Sequence, residues 1–451
     1  MMNKNGDKKK KQISLREFFR KYPTLFMLAA VAVAANACYT AIIPLVPFYF
    51  RAQFHDPAQS GLIFDILKGF RHSEALIGFL KGLGHSDMLI GLAYSAYVFT
   101  EMCFKPVAGA LGDRFRRTRL VQIGLGLGIV TPFLLARAMS ADTFILVRLV
   151  DGVGAAMVWP AMIALFADMT DEEDRATAMS VFTMCLMAGM GAGVTLSPFL
   201  KAWLGEYKYV FMVMSALMAV GFVVMLISGN KIGAAAKKQH TKSHPDGSGT
   251  FKENLKKIMS NRAVAGQLVT LVILAFMQML GTSMLTPTTF LFAADELGWA
   301  EKQVWRAFLV AGAVIALMAL PAGRLADRVG KENAVKIGMT LASICLLTMS
   351  VVRQPWTLAL AVIGYAISFV IGAPSWMALV TRGEWSGMRG TVLGMVTAFQ
   401  GAGVVFGPTI GTLVWNDYGH YAPFAVCAVI LAVCALVSFV GLRPIKAAAA
   451  P

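Results

Sequence analysis

The sequence predicts an all-α membrane protein in which twelve transmembrane helices form two pseudo-symmetric six-helix bundles. Three observations lead to this prediction: the apolar segments, a pattern that occurs twice, and the uneven distribution of basic residues. Apolar residues make up 57% of the chain and charged residues 15%. Soluble domains carry about 25% charged residues, so this composition favours a chain that exposes apolar surface to lipid.

Twelve apolar segments are each long enough to cross a membrane. A helix of about 20 apolar residues spans a hydrocarbon core of about 30 Å, and it satisfies its own backbone hydrogen bonds there. The segments lie near residues 24–50, 88–110, 119–138, 142–167, 176–200, 207–228, 263–293, 303–322, 334–352, 356–380, 388–415 and 421–442. An even number of spans places both termini on the same side of the membrane.

The basic residues set the orientation of these spans. With both termini on one side, 29 of the 41 lysines and arginines fall on that side and ten on the other. Such an excess marks the cytoplasmic side, which predicts a multi-pass protein of the cell membrane with cytoplasmic N- and C-termini. We attribute the net charge of +16 to this asymmetry and to contacts with membrane lipid, and expect no nucleic-acid partner.

A nine-residue pattern occurs twice, in each case after an apolar segment. The first copy reads Gly109-Ala-Leu-Gly-Asp113-Arg114-Phe-Arg-Arg117. The second, 214 residues downstream, reads Gly323-Arg-Leu-Ala-Asp327-Arg328-Val-Gly-Lys331. A charged turn repeated at about half the chain length is typical of transporters built from two homologous halves.

The duplication also predicts the domain boundaries. The predicted segments are a basic cytoplasmic segment at 1–23, a six-helix bundle at 24–228, a cytoplasmic linker at 229–262, a second six-helix bundle at 263–442, and a cytoplasmic tail at 443–451. The first bundle includes a long extracytoplasmic loop at 51–87, which we interpret as a structural insertion. A lid or a lipid-facing helix is the alternative for this loop.

At these residues the chain resembles the major facilitator superfamily, and the resemblance covers essentially all of it. The second copy of the pattern is close to that family's loop motif, while the first differs at Arg116, where the family has Gly. The resemblance implies that the turn stabilises the outward-facing state, with glycines that let neighbouring helices approach closely; a plain topology-setting turn is the alternative. The implied gating residues are Gly109, Asp113, Arg114, Arg117, Gly323, Asp327, Arg328 and Lys331.

Two further patterns narrow the resemblance to the branch of drug:proton antiporters. In the fourth span, Arg148 precedes a glycine run, as in proton-coupled members of the family. In the eleventh span, Gly403, Gly407 and Pro408 join the implied gating set, because glycines allow close packing at the interface between the halves and proline bends a helix. The fifth span keeps only part of that branch's motif.

Four ionisable residues lie well inside the apolar segments, away from the segment ends, and are predicted to sit within the membrane: Glu101, Lys105, Arg148 and Asp151. Each costs about 2.5–3.5 kcal/mol or more at a helix centre unless it is paired or hydrated, so such residues mark a functional pathway. Glu101 and Lys105 are four residues apart, while Arg148 and Asp151 are three apart, so each pair shares a helix face. We predict that Asp151 carries a proton with Arg148 as its switch, and that Glu101 with Lys105 is a second carrier or a substrate contact; two neutral structural pairs are the alternative.

Further polar and aromatic residues are predicted to line a substrate cavity near the midplane, where transporters place their sites. They are Asn36, Tyr39, Tyr97, Trp159, Gln278, Trp376 and Gln400. Trp159-Pro160 and Pro374-x-Trp376 occupy matching positions in the two halves, which suits paired aromatic walls.

These observations predict a proton-coupled secondary transporter that works as a monomer and exports amphipathic or drug-like small molecules. The alternative substrates are a small polar metabolite, an organic anion or a lipid. A minor alternative is a membrane sensor or assembly factor that transports nothing. The sequence contains no phosphate-binding loop, metal cluster or nucleophile–base arrangement, so we expect no enzymatic activity, cofactor or metal.

Overall fold

The computed structural model describes residues 15–54, 86–171, 174–240, 251–299, 328–351, 353–380 and 389–441, with scattered positions between 303 and 321. Within these residues the chain forms thirteen α-helices and no strand. The helices of the first half are α1 (Leu15–Lys21), α2 (Pro23–Gln53), α3 (Ser86–Arg114), α4 (Arg117–Leu135), α5 (Ala141–Asp168), α6 (Arg175–Leu204) and α7 (Tyr207–His240). Those after it are α8 (Phe251–Ser260), α9 (Arg262–Asp295), α10 (Lys331–Val351), α11 (Pro355–Val380), α12 (Arg389–Tyr418) and α13 (Ala422–Gly441).

Nine of the described helices are long and apolar enough to cross a membrane. Eleven of the twelve predicted spans coincide with a described helix, and the span predicted at 303–322 lies largely outside the described residues. The loop at 51–87 lies outside them from residue 55 to residue 85. Helix α7 continues to His240, beyond the predicted end of the sixth span, and the short helix α8 occupies the later part of the predicted linker.

Local signals set several helix ends. Pro23 occupies the first turn of α2, where its missing N–H costs nothing. The Ser140 hydroxyl accepts a hydrogen bond of 3.2 Å from the Thr143 N–H at the start of α5, so the side chain caps an unpaired backbone donor. Gly205 ends α6 with φ of +83°, a conformation that glycine adopts without strain.

The two halves contain equivalent helix pairs. Helix α2 packs along α6 in the first half, and α9 packs along α12 in the second. Glycines make both contacts close: a Cβ on Gly193 of α6 would collide with the backbone of Ala37, and one on Gly407 of α12 would collide with the Ser283 hydroxyl. We call α2–α7 the first half and α9–α13 the second half.

The prediction that Gly403 and Gly407 pack at the interface between the halves is wrong. Both face α9 of their own half, since a Cβ on Gly403 would lie 2.5 Å from the Phe276 carbonyl oxygen. The interface instead joins α3 to α12. There the Ser95 and Thr409 hydroxyls are 2.8 Å apart.

Outward-facing apolar side chains cover the periphery of both halves. They stand on α4 and α7 in the first half and on α10 and α13 in the second, where charged residues lie near the helix ends. Lipid-exposed helices need such a surface, because the hydrocarbon core offers no hydrogen-bonding partner. Examples are Ile123, Val130, Val220, Ile227, Ile344, Leu347, Val429 and Leu436.

Candidate functional site

Arg148 and Asp151 form an ion pair inside the first half, on the inner face of α5. Their side chains are only 4% and 2% exposed. The second carboxylate oxygen of Asp151 accepts a hydrogen bond of 2.8 Å from the Thr131 hydroxyl of α4. The pair is therefore held by two helices, in a position where an unpaired charge would be strongly unfavourable.

A cluster of aromatic side chains contacts this pair through Tyr97. The Arg148 guanidinium lies 4.2 Å from the centroid of the Tyr97 ring on α3, within the range of a cation–π interaction. The Tyr39 ring on α2 lies 6.2 Å from Tyr97 and 5.8 Å from Trp159, between ring centroids. Three residues predicted to line the cavity thus form one aromatic cluster, which contacts the partner of the predicted proton carrier through Tyr97.

Two polar atoms near the pair have no hydrogen-bonding partner among the described residues. They are Nε of Arg148 and the hydroxyl of Tyr39, and both are buried. Buried polar groups are normally paired, so these atoms are positions at which a water molecule, a proton carrier or a substrate could bind.

Glu101 and Lys105 form the second predicted pair, on α3. The Lys105 ammonium lies 2.8 Å from the Glu101 carboxylate, and their side chains are 48% and 13% exposed, respectively. Glu101 is close enough to Asp151 for the two carboxylates to interact electrostatically. Helices α3 and α5 approach closely here, because a Cβ on Gly152 would lie 3.0 Å from the Glu101 backbone nitrogen.

The second half contains a cavity that has no charged group among the described residues that line it. We call it the second-half cavity; it is formed by α9, α10, α11 and α13. Gln278 and Trp376, two of the residues predicted for a substrate cavity, line it, and two aromatic residues that the sequence analysis did not single out, Tyr365 and Phe369, line it as well. The other lining residues are Thr282, Val335, Gly338, Met339, Ala342, Ser368, Gly372 and Leu431.

The remaining two cavity candidates lie elsewhere. The Asn36 amide donates a hydrogen bond of 2.5 Å to the Leu186 carbonyl and so joins α2 to α6. Gln400 is half-buried on α12 and does not line the second-half cavity. The structure thus gives Asn36 a packing contact between helices. It does not place Gln400 at the Arg148–Asp151 pair or at the second-half cavity.

The first copy of the repeated pattern is tied to the end of α5. Arg117 forms an ion pair with Asp168, beside a cavity of about 870 Å³ that Arg116 and Lys237 also line. No described atom lies within 4 Å of a Cβ placed on Gly109, so close helix packing does not explain that glycine in this conformation.

The other predicted gating residues give less information. Arg328 and Lys331 are exposed. Gly323, Asp327 and the side chains of Asp113 and Arg114 lie outside the described residues. The gating role of the second copy of the pattern therefore stays a prediction.

The opposite end of the molecule carries an ionic contact that the sequence analysis missed. Arg51, at the end of α2, pairs with Asp87 at 2.9 Å and with Asp295 at the end of α9. Phe48 packs beside Phe290 in the same region. The ends of the first and seventh spans thus meet and join the two halves, and opposite charges at these equivalent positions were the signal that could have indicated it.

Comparison with known proteins identifies the fold family. The model of the Major Facilitator Superfamily matches residues 75–383, which is more than half of the chain. The chain belongs to this superfamily. The predicted fold class is therefore confirmed: this is an all-helical membrane transporter of the major facilitator fold.

Curated relatives extend over most of the chain at low identity. Multidrug resistance protein 2 of Bacillus subtilis (strain 168) is 22% identical over 340 residues, which are 75% of this chain and 82% of that protein. Multidrug resistance protein MdtG of Klebsiella pneumoniae (strain 342) is 26% identical over 363 residues, which are 78% of this chain and 83% of that protein.

Solved structures share the fold across nearly the whole chain. A variant of the nucleoside transporter NupG superposes with a TM-score of 0.68 at 14% identity, covering 93% of this chain and 100% of that one. The human organic anion transporter MFSD10 (TETRAN) superposes with a TM-score of 0.63 at 18% identity, covering 92% and 98%. At this identity the likeness concerns the fold alone.

Proposed function

We propose that this protein is a proton-coupled secondary transporter that exports amphipathic, drug-like small molecules by alternating access. It works as a monomer in the cell membrane, with cytoplasmic termini and contacts to lipid, and without a cofactor or enzymatic activity. Family membership supports transport, and the names of the bacterial relatives, both multidrug resistance proteins, support a multidrug substrate range.

The buried Arg148–Asp151 pair is the observation that carries the proposed proton coupling. A carboxylate in this position is stabilised by its cation and loses that stabilisation if the cation moves. A proton on Asp151 would neutralise the carboxylate and release Arg148, whose other described contact is the Tyr97 ring. Protonation and rearrangement of α5 against α3 are thereby coupled.

An ionic contact between the halves at one end of the molecule supports alternating access. Arg51 joins the halves at the extracytoplasmic ends of α2, α3 and α9, so this side is closed. For the cavity to open outward, Asp295 has to separate from Arg51, while the contact of Arg51 with Asp87 can persist within the first half.

An organic anion, a small polar metabolite or a lipid is the alternative substrate. The half-exposed ammonium of Lys105 favours it, since a cation near the midplane can bind an anionic group. If the substrate is an anion, its transport should be lost in the variant Lys105→Gln. A lipophilic cation should instead depend on the carboxylates of Asp151 and Glu101.

Proton flux in proteoliposomes tests the proposal. Substrate-dependent flux after a pH jump would be followed with tetraphenylphosphonium and with a small organic anion as probes. We expect flux in the wild-type protein and its loss in Asp151→Asn or Glu101→Gln, while Glu206→Gln serves as control because Glu206 is exposed and pairs only locally with Lys208. Transport without proton movement in all variants would indicate a uniporter or exchanger and would exclude coupling.

A further inference from the structure

Two polar atoms of residues that line the second-half cavity, with opposite hydrogen-bonding roles, have no partner in the part of the chain that the structure describes. They are the acceptor Oε1 of Gln278 and the donor Nε1–H of Trp376. Trp376 is only 6% exposed, so water outside the protein cannot satisfy its N–H. Leaving such groups unpaired is unfavourable, and a ligand that accepts from one and donates to the other would remove the penalty.

Neighbouring hydroxyls do not supply these partners. The Thr282 hydroxyl donates to the Gln278 backbone carbonyl at 2.8 Å. The Ser368 hydroxyl donates to the Tyr365 carbonyl at 2.6 Å. Both hydroxyls are therefore engaged with their own helices, and the acceptor on α9 and the donor on α11 stay available to a ligand.

The lining of the cavity excludes ionised ligands. None of its twelve lining residues is Asp, Glu, Lys, Arg or His. Moving a charge into such surroundings is unfavourable without a compensating group, whereas a neutral polar group loses only hydrogen bonds that Gln278 and Trp376 replace.

The size of the cavity limits what can enter. Its volume is about 40 Å³, within about 450 Å³ of atom-free space that includes its open side. A cavity whose volume is measured in the same way as the value of 40 Å³ needs roughly 10–15 Å³ to hold one water molecule. This one therefore accommodates a few waters or a group such as an amide, and the rest of a drug-sized molecule has to lie outside it.

We infer that the second-half cavity is a subsite for a neutral donor–acceptor group, such as a carboxamide, carried on an aromatic or apolar body. The Tyr365 and Phe369 rings would contact that body. The inference rests on the proposed function and specifies its substrate class: an amphipathic cation whose charge is handled in the first half and whose uncharged polar group binds in the second.

A matched pair of probes tests this subsite. Equilibrium binding to the purified full-length protein in lipid nanodiscs would be measured for tetraphenylphosphonium, which has no hydrogen-bonding group, and for its derivative with one para-carboxamide. A site built for a hydrogen bond discriminates against an analogue that lacks it. We expect the wild-type protein to bind the carboxamide about five- to tenfold more tightly, as one or two added hydrogen bonds allow.

Variants of the two unpartnered residues should remove this preference. Trp376→Phe deletes the N–H and keeps a ring, and Gln278→Leu deletes the amide. Each should reduce the preference to less than about twofold. Trp415→Phe is the matched control, since Trp415 is equally buried on α12 but does not line the cavity; it should keep the wild-type preference.

Three results would overturn the inference: no preference in the wild-type protein, a preference that survives both variants, or equal weakening of both probes. If neither probe binds, the assigned substrate class is wrong. Should one variant fail to fold, as judged by size-exclusion chromatography, the other decides. The binding assay needs no proton gradient, so a preference without proton flux would refute the proposed coupling and leave the subsite standing.

Discussion

The two halves of this transporter share their helix packing and differ at their centres. In each half the helix of the first span packs along the helix of the fifth span through glycine contacts, α2 along α6 and α9 along α12. In the first half, the buried pair Arg148–Asp151 lies at the centre. The described helices of the second half carry charged residues only near their ends, and their cavity presents neutral polar atoms and aromatic rings.

This difference shows how a duplicated scaffold acquires two kinds of chemistry. Packing glycines are kept in both halves because helix approach in a membrane depends on small residues. The residues at the centre are free to diverge, since function resides in sites placed on a fold. We therefore assign charge movement to the first half and recognition of uncharged groups to the second.

The largest expected effect comes from breaking the Arg148–Asp151 pair one residue at a time. Asp151→Leu or Arg148→Met alone should lower the free energy of unfolding by about 3–5 kcal/mol, because each leaves an uncompensated buried charge. The double variant should recover most of this loss, since an apolar replacement of both partners is often neutral. Thermal unfolding in detergent measures all three.

Proton coupling should not recover together with stability in the double variant. Substrate-dependent proton flux should be lost in both single variants and in the double variant. Recovery of flux in the stable double variant would show that the pair serves packing alone and would remove the functional difference between the halves.

Glycine substitutions test whether the shared packing is equally important in both halves. Gly193→Val and Gly407→Val should each destabilise the protein by about 1–3 kcal/mol, as overpacked contacts do. The matched controls are Gly191→Val and Gly394→Val, because no described atom lies within 4 Å of a Cβ at either position. The yield of monodisperse protein and its unfolding temperature report the effect; equal tolerance of all four would contradict the packing account.

Much of the fold could be predicted from the sequence, because the cost of exposing backbone to lipid forces long apolar helices. The Arg148–Asp151 pair was also predictable, since its spacing on a helix decides the contact and its position in an apolar segment makes it unusual. Thr131, which completes the pair, was not, because a lone threonine in an apolar helix carries no distinguishing pattern.

Contacts between distant segments were the part that sequence reasoning missed. Gly403 and Gly407 correctly indicated that their helix packs closely against another. Their sequence pattern did not show that the partner is α9 of the same half, where the prediction placed it in the other half. Tyr365 and Phe369 could not be separated from ordinary core residues. The pairing of Arg51 with Asp295 spans most of the chain and depends on how the two halves meet.

Arg51→Gln tests the closure of the end of the molecule at which Arg51 meets Asp295, and it should have a smaller effect. The contact is partly exposed, and such ion pairs contribute about 0.2–1 kcal/mol, so the population open at this end should rise by up to about fivefold. In a cysteine-free background, labelling of Ser95→Cys by a membrane-impermeant maleimide reports opening, since Ser95 lies at the interface between the halves. Lys208→Gln, which removes an ion pair within the first half, should leave the labelling rate unchanged; an unchanged rate in Arg51→Gln would argue against a gate here.

The smallest expected effect concerns the acid sensitivity of the contact between Glu296 and His420 in the second half. Glu296 accepts hydrogen bonds from His420 and Tyr421, and the first of these contacts contributes most to holding the pKa of Glu296 below its usual 4.5. Because the pKa of Glu296 is lower in the folded protein, its ionised carboxylate stabilises the fold above pH 4.5. This stabilisation is lost as the pH falls through the pKa of Glu296 in the folded protein. The difference in unfolding temperature between wild type and Glu296→Gln should therefore be present at neutral pH and vanish in acid.

Replacing the histidine sharpens this prediction. In His420→Gln the pKa of Glu296 should move back toward 4.5, so the same difference should be lost at a higher pH than in the wild-type protein. A pH profile that is identical with and without His420 would contradict the contact.

Proton release on substrate binding, measured by a pH indicator with purified protein in weakly buffered detergent, tests the division between the halves most directly. Tetraphenylphosphonium should release protons from the wild-type protein and from Trp376→Phe, and none from Asp151→Asn. Unchanged release from Asp151→Asn would contradict Asp151 as the proton carrier, and loss of release in Trp376→Phe with normal binding would contradict the assignment of charge movement to the first half alone.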